Sequence, residues 1–299
     1  MGMLSFLNNI ILTGILTGGL YALMAMGLSL VFGVMNIPNF AYGEFYMIGA
    51  YLAFFGIEVF GWGPIPSILF AMAGGFIFGA VIEKSLFYPL RQRSKENWLM
   101  NTFLLTLGLS IILQNGMVIL YGANYHGITY FWPGNIRLGP VNISYDRAVA
   151  FLIAIVAIVL FSLFLNKTRT GRAIRAVSQD ETGAKLMGID LNGIHMLTFA
   201  LSSLLAALAG ASLLSISAAY PTMGVTPLYT SWFVLILVGM GNVEASIWGG
   251  FIVGILETLS TFYLGSGWQS AVSLGIIILI LLFKPAGIFA KKGVKTVWE

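Results

Sequence analysis

The sequence predicts an all-α fold, a polytopic bundle of transmembrane helices, on two observations. Hydrophobic residues fill 58% of the 299 positions and charged residues only 9%, against roughly 25% charged in an ordinary globular chain. That is too little charge to clothe a water-facing surface, and the mean hydropathy of +0.92 agrees. The apolar residues also gather in stretches of about twenty, long enough to cross a bilayer as a helix. Backbone polar groups find no water in lipid, and barrel strands would alternate in runs of about ten instead.

Apolar segments run over about 9–34, 40–60, 64–84, 98–120, 146–166, 195–219, 227–243, 245–263 and 268–284. The first follows Met1-Gly2-Met3-Leu4-Ser5-Phe6, which lacks the basic flank of a cleavable signal, so it reads as a retained span. In the second, Asn36, Pro38, Asn39 and Glu44 interrupt the apolar run. That segment either spans or dips in and returns, so eight or nine spans are expected. Gly14 and Gly18, Gly75 and Gly79, and Gly250 and Gly254 have GxxxG spacing. Ser202, Ser203, Ala206, Ala207, Gly210 and Ala211 form a small-residue stripe. Such residues let helices approach closely in lipid, and they are read as packing positions without chemistry.

The basic residues show how the spans are oriented. Thirteen of fifteen lie in three clusters: Lys84, Arg91, Arg93 and Lys95; Lys167, Arg169, Arg172, Arg175 and Lys185; and Lys284, Lys291, Lys292 and Lys295. By the positive-inside rule all three face the cytoplasm, the last placing the C-terminus there. Arg137 and Arg147 then flank an outer aromatic stretch from Tyr121 to Tyr145. The net charge of +4 is thus a record of topology and membrane-lipid contact, and no nucleic acid is expected as a partner. Cysteine is absent and histidine is limited to His126 and His195, so no disulfide, metal site, cofactor or catalytic group is expected. The two histidines read as anchors at the membrane interface.

The run Gly19-Leu-Tyr-Ala-Leu-Met-Ala-Met-Gly-Leu-Ser-Leu-Val-Phe-Gly33, followed by Asn39-Phe-Ala-Tyr-Gly-Glu-Phe-Tyr-Met-Ile-Gly-Ala-Tyr51, resembles the opening signature of branched-chain amino acid ABC transporter permeases of the LivH type. Further similarities follow in order at Tyr88-Pro-Leu-Arg91, Thr106-Leu-Gly-Leu-Ser110, Gly171-Arg-Ala-Ile-Arg-Ala-Val-Ser-Gln-Asp180, Leu186-Met-Gly-Ile189, Leu205-Ala-Ala-Leu-Ala-Gly210 and Gly239-Met-Gly-Asn242. Together they cover nearly the whole chain. The resemblance implies an ABC importer permease fold over residues 1–299 as one domain, in a bacterial or archaeal cytoplasmic membrane. It also implies a second homologous permease, two cytoplasmic ATPase subunits and an extracytoplasmic substrate-binding protein as partners. The expected cargo is leucine, isoleucine and valine or other neutral amino acids, with urea or short amides as the alternative. A self-sufficient secondary carrier is the runner-up, but three scattered glutamates, Glu44, Glu244 and Glu257, make a thin ion-coupling set. The chain has no GxxxxGK[ST] and no Gly-Lys dipeptide, so it carries no phosphate cradle and reads as a non-enzymatic subunit powered from outside.

The segment suited to receive that power is about 167–194. Ser178-Gln-Asp-Glu181 has capping-box spacing, predicting a helix from about Gln179 to Met187 that stops at Gly188. By resemblance it is the coupling helix seated in an ATPase groove, with Arg172, Arg175, Ser178, Asp180, Glu181, Ala184, Leu186, Met187 and Gly188 as its contact set. Arg172 and Arg175 can meet acidic partner residues or lipid phosphates. For the pathway the candidates are Asn36, Asn39, Glu44, Gln114, Asn115 and Glu244, since ionisable groups within a membrane tend to face a pore or a partner. Two readings fit Asn39 and Glu44: lining the passage, or capping and stabilising the next helix N-terminus. Gln114 and Asn115 are adjacent on a helix, so only one can face the bundle. Interruptions at Asn36-Ile-Pro-Asn39 leading to Glu44, and at Pro221 to Pro227 leading to Glu244, suggest a corresponding pair in two halves. Glu257 reads as structural, with Thr258, Ser260 and Thr261 nearby.

Overall fold

The structure, a computed structural model, describes residues 3–93, 97–138 and 141–289. Lys95, Lys291, Lys292 and Lys295 of the basic clusters lie outside the described residues. In chain order the described residues form α1 (Met3–Met35), α2 (Tyr42–Glu58) and α3 (Pro64–Ile82), which continues through a π-helical turn (Glu83–Phe87) into α4 (Tyr88–Arg93). Then come α5 (Trp98–Tyr121), a hairpin of β1 (Asn135–Leu138) and β2 (Val141–Ser144), α6 (Tyr145–Lys167), α7 (Arg169–Gln179) and α8 (Glu181–Leu186). The chain closes with α9 (Leu191–Leu213), α10 (Val225–Val238), α11 (Val243–Leu264) and α12 (Gln269–Phe283).

All nine apolar segments are helical. Among the described residues seven helices are long and apolar enough to cross a membrane, so the expected eight or nine spans are matched only roughly. The shortfall falls on α2 and α10, which have 17 and 14 residues. At 1.5 Å per residue these reach about 25 and 21 Å, short of a hydrocarbon core of about 30 Å. The only strands among the described residues are the hairpin, in which Asn135 lies opposite Ser144.

Small residues decide which helices meet. Gly14 and Gly18 of α1 lie against Gly250, Phe251, Gly254 and Ile255 of α11, where a Cβ on Gly18 would stand 2.9 Å from the Phe251 Cα. Gly75 and Gly79 of α3 rest on Ala207, Ser203 and Ala200 of α9. The Ser202 hydroxyl donates to the Gly27 carbonyl at 2.8 Å, tying α9 to α1. These two helices form the centre, with 72% of the apolar stretch of each buried, whereas the apolar stretches of α5 and α12 stand outside with 11% buried. Where α3 ends, buried Glu83 needs a cation. Arg91 supplies it at 2.7 Å, with its guanidinium 5.7 Å above the Trp98 ring.

Cross-links sort the helix ends into two groups. Trp98 Nε1 donates to the Met35 carbonyl, Asn166 donates to Glu244, and Ile288 N donates to the Leu237 carbonyl. The ends of α1, α4, α6 and α10 therefore share one face with α7, α8 and the starts of α5 and α11. At the opposite face, His126 and Ala219 pair backbone to backbone, and Asp146 accepts from the Phe131 and Trp132 amides at 3.0 Å each. The His126 ring packs near Tyr51, Phe54 and Tyr121.

Candidate functional site

The two short helices start at one place. α1 stops at Asn36, whose φ of 51° is the only positive value for a non-glycine among the described residues. An asparagine tolerates that left-handed stop. The chain then runs irregularly to Tyr42, whose hydroxyl donates to the Met24 carbonyl at 2.9 Å. Met24 lies eleven residues before the end of α1, roughly 16 Å back along it, so α2 begins near mid-depth. α10 begins beside it, because Gly43 and Gly224 abut backbone to backbone and neither has room for a Cβ. From that junction α2 runs toward the hairpin face, where Tyr51 packs on Tyr121. α10 runs the other way, to the Gly239–Asn242 turn beside Gly33. The interruptions at Asn36–Asn39 and Pro221–Pro227 thus lead into one junction of two half-length helices. Helix N-termini carry partial positive charge and free N–H groups.

Glu44 lies in the first turn of α2 and is 1% exposed. Its Oε1 accepts from Ser110 Oγ and Gln114 Nε2 of α5, each at 2.8 Å. Its Oε2 is buried with no partner among the described residues. Asn39, also 1% exposed, turns its Oδ1 onto the Ala41 amide at 3.0 Å and bridges the gap between α1 and α2 without capping the helix itself. The Thr106 hydroxyl donates to the Pro38 carbonyl in the same gap. Ser110 and Thr106 belong to the Thr106–Ser110 motif, yet neither counts among the candidates read from sequence. Nothing local in the sequence pairs them with residues about 66–68 positions away.

The remaining candidates lie elsewhere. Asn36 is exposed at the far end of the gap. Asn115 is exposed on α5 and donates back to the Ile111 carbonyl. Glu244 stands in the first turn of α11, a full α10 away from the junction, so the structure does not bring it to Glu44. It accepts from Asn166, which in turn accepts from Arg175 of α7. Glu257 is held by Thr230 and Gln269, at 3.3 and 2.7 Å. Thr258 and Thr261, expected as its partners, bond helix carbonyls instead.

The Arg175 link makes α7 a braced platform. α7 buries Gly171, Ile174 and Val177 at three-residue spacing and turns Arg169, Arg172 and Arg175 outward. The expected helix after it is shorter and starts later. Ser178 belongs to the last turn of α7, donating to the Arg175 carbonyl, and Asp180 caps α8 by accepting from the Thr182 amide. The reason is that Asp180 takes up an extended φ, ψ of −154°, 102°, which breaks the helix there and puts its own carboxylate in capping position. Gly188, at φ +81°, ends the turn by donating to the Lys185 carbonyl, while Ile189 N reaches back to Ala184. Ala184 is buried, while Leu186 and Met187 are each 84% exposed at the tip. His195, expected as an interface anchor, lies in the first turn of α9 but is covered by protein. It is 3% exposed beneath α8, its Nε2 4.0 Å from Glu181. No cluster of three metal-binding side chains occurs among the described residues.

The chain is similar in sequence to known proteins. The chain is 31% identical over 301 residues to the high-affinity branched-chain amino acid transport system permease protein BraD of Pseudomonas aeruginosa, covering 96% of this chain and 97% of that one. It is 30% identical to the corresponding LivH of Escherichia coli, covering 95% and 96%. It is 29% identical to a probable LivH of Methanocaldococcus jannaschii, covering 92% and 90%. The family model described as the branched-chain amino acid transport system / permease component matches residues 10–281, and the chain belongs to that family.

Proposed function

We propose that this chain forms half of the translocation pathway of an ATP-driven importer for leucine, isoleucine, valine or other neutral amino acids. It works beside a second homologous permease, receives cargo from an extracytoplasmic binding protein and is driven by two separate ATPase subunits. The observation that carries this reading is α8: a six-residue helix that presents Leu186 and Met187 outward and is tied to the spans through α7, Asn166 and Glu244. Large apolar side chains 84% exposed beside a basic platform suit a partner's groove. A topology-setting loop has no need of them.

Lys84, Arg91, Lys167, the α7 arginines, Lys185 and Lys284 occupy the face that also holds α8, which supports a cytoplasmic position for that face and for residue 284. ATP closure beneath α8 is passed through Arg175 and Asn166 to the start of α11. Asn39, Glu44 and Gln114 are the polar groups we assign to the passage, with Glu44 Oε2, buried and without a partner among the described residues, as the group that meets a substrate ammonium once the passage opens.

The test is reconstitution of the complete importer in liposomes. Leucine uptake should require ATP and binding protein and should resist competition by urea. Leu186→Asp with Met187→Asp should abolish ATPase coupling while the permease still inserts and purifies as a single species. Uptake by the isolated chain without ATPase partners, or normal coupling in the double variant, would overturn the proposal.

A further inference from the structure

A second polar site lies in the half of the bundle nearer the hairpin. A cavity of about 820 Å³ opens between α1, α9, α10, α11 and the start of α12, and none of the six pathway candidates line it. Its volume falls in the range of small-molecule sites. At its wall sits Glu257, 1% exposed in a spanning helix. Its oxygens accept from the neutral Thr230 Oγ1 and Gln269 Nε2, and the neutral Tyr21 hydroxyl also lies against it, 3.5 Å from that same amide. No cation lies within ion-pair distance of it among the described residues. A carboxylate inside a membrane is costly without a positive partner, and such groups mark binding sites or pathways.

Arg147 lines the same cavity. It is exposed in the first turn of α6 and likewise makes no ion pair among the described residues. The packing sets both charges at one depth. Gly14 of α1 meets Ile255, two residues before Glu257, and Gly19 meets Phe151, one turn past Arg147. Both charged groups therefore stand within about one helical turn of each other, near residues 12–15 of α1, one on each neighbouring helix. The rest of the lining includes Leu16, Leu20, Leu213, Ile216 and Met223.

A lone cation, a lone anion and an aliphatic wall match the three parts of one kind of molecule. We infer that this cavity binds a zwitterionic α-amino acid with an apolar side chain. The ammonium group goes to Glu257, the carboxylate to the fork of Arg147, and the side chain to the leucine-rich wall. The inference rests on the importer reading above. It adds a resting site within a single permease, on the hairpin side of the Gly43–Gly224 junction, so cargo pauses there before meeting Glu44.

The experiment uses the complete importer purified in detergent without its binding protein, and measures retention of radiolabelled leucine. The wild type should bind. Glu257→Gln, which keeps the size and hydrogen-bonding capacity of the side chain, and Arg147→Gln, at an exposed position, should each weaken binding roughly tenfold to a hundredfold, the loss of one charge-assisted contact. Single-charge analogues separate the two ends. Displacement of leucine by 3-methylbutylamine should be lost in Glu257→Gln but kept in Arg147→Gln, and 4-methylpentanoate should show the reverse. Three results overturn the site while leaving the importer reading intact, given leucine uptake by the wild type: no leucine retained at millimolar concentration, unchanged binding in both variants, or a phospholipid that copurifies and resists displacement by leucine. Failure of the complete wild-type importer to take up leucine would instead overturn the underlying reading.

Discussion

Replacing Gly18 with alanine tests whether the α1–α11 contact depends on backbone approach. The new methyl group would stand 2.9 Å from the Phe251 Cα and 3.2 Å from the Gly250 carbonyl oxygen. Carbon atoms settle at about 3.5–4.0 Å, so the contact to Phe251 is short by roughly 0.6–1.1 Å. Both obstructing atoms are backbone, so no side-chain rotation relieves the clash and the helices must separate along their length. Overpacking of this kind costs about 1–3 kcal/mol. Gly108→Ala on α5 is the matched control, since a Cβ there meets nothing within 4 Å. Alanine's better helix propensity should leave that variant within about 1 kcal/mol of wild type, on the stable side. Unfolding in mixed micelles of rising SDS content, followed by tryptophan fluorescence, compares the two. If Gly18→Ala unfolds at the same SDS fraction as Gly108→Ala, close backbone approach is not what holds α1 to α11.

Arg91→Ala strands the buried Glu83 carboxylate 2.7 Å from its lost partner and should cost about 3–5 kcal/mol. Adding Glu83→Gln should recover much of that loss in the same unfolding assay. Gly188→Ala places a side chain at φ +81°, a strain of about 1–2 kcal/mol. Hydrogen exchange at Ile189, whose amide closes the turn, should quicken while α9 stays protected. Gln114→Leu removes one of the two donors to Glu44 and should lower leucine uptake several-fold. Asn115→Leu, which loses only a bond to its own helix, should change uptake little; equal defects would contradict the assignment.

How much of this was legible depended on how far apart in the chain the interacting groups lie. Gly14, Gly18, Gly250 and Gly254 could be read as packing positions because spacing alone defines a flat helix face, and that face does meet α11. The interruption at Asn36–Asn39 was visible too, since prolines and polar residues break an apolar run wherever they fall. Partners across the fold were not visible. Glu257 looked served by Thr258 and Thr261, but on a helix these hydroxyls turn back to carbonyls four residues earlier, and its donors come from 27 and 12 residues away. The cap of α8 was misplaced by two positions because Ser178 and Asp180 are both good caps. Only the extended backbone at Asp180 decides between them. The sequence neighbours of His195 mark a span boundary, but not that α8 folds back over the ring and buries it.

The paired starts of α2 and α10 also bear on how the chain is made. A ribosome delivers α2 about 180 residues before Gly224, against which its first turn closes. Until then a helix of 17 residues carrying Glu44 and Glu58 has neither the length nor the apolarity to settle in lipid alone. Ala207, which fills the notch left by Gly49, arrives nearly as late. Early in synthesis, then, only α1 and α3 are independent membrane spans, and residues 36–58 wait between them. Assembly of the passage is postponed until α9 and α10 emerge, so truncation before Gly224 should leave a protein that is inserted but has no junction.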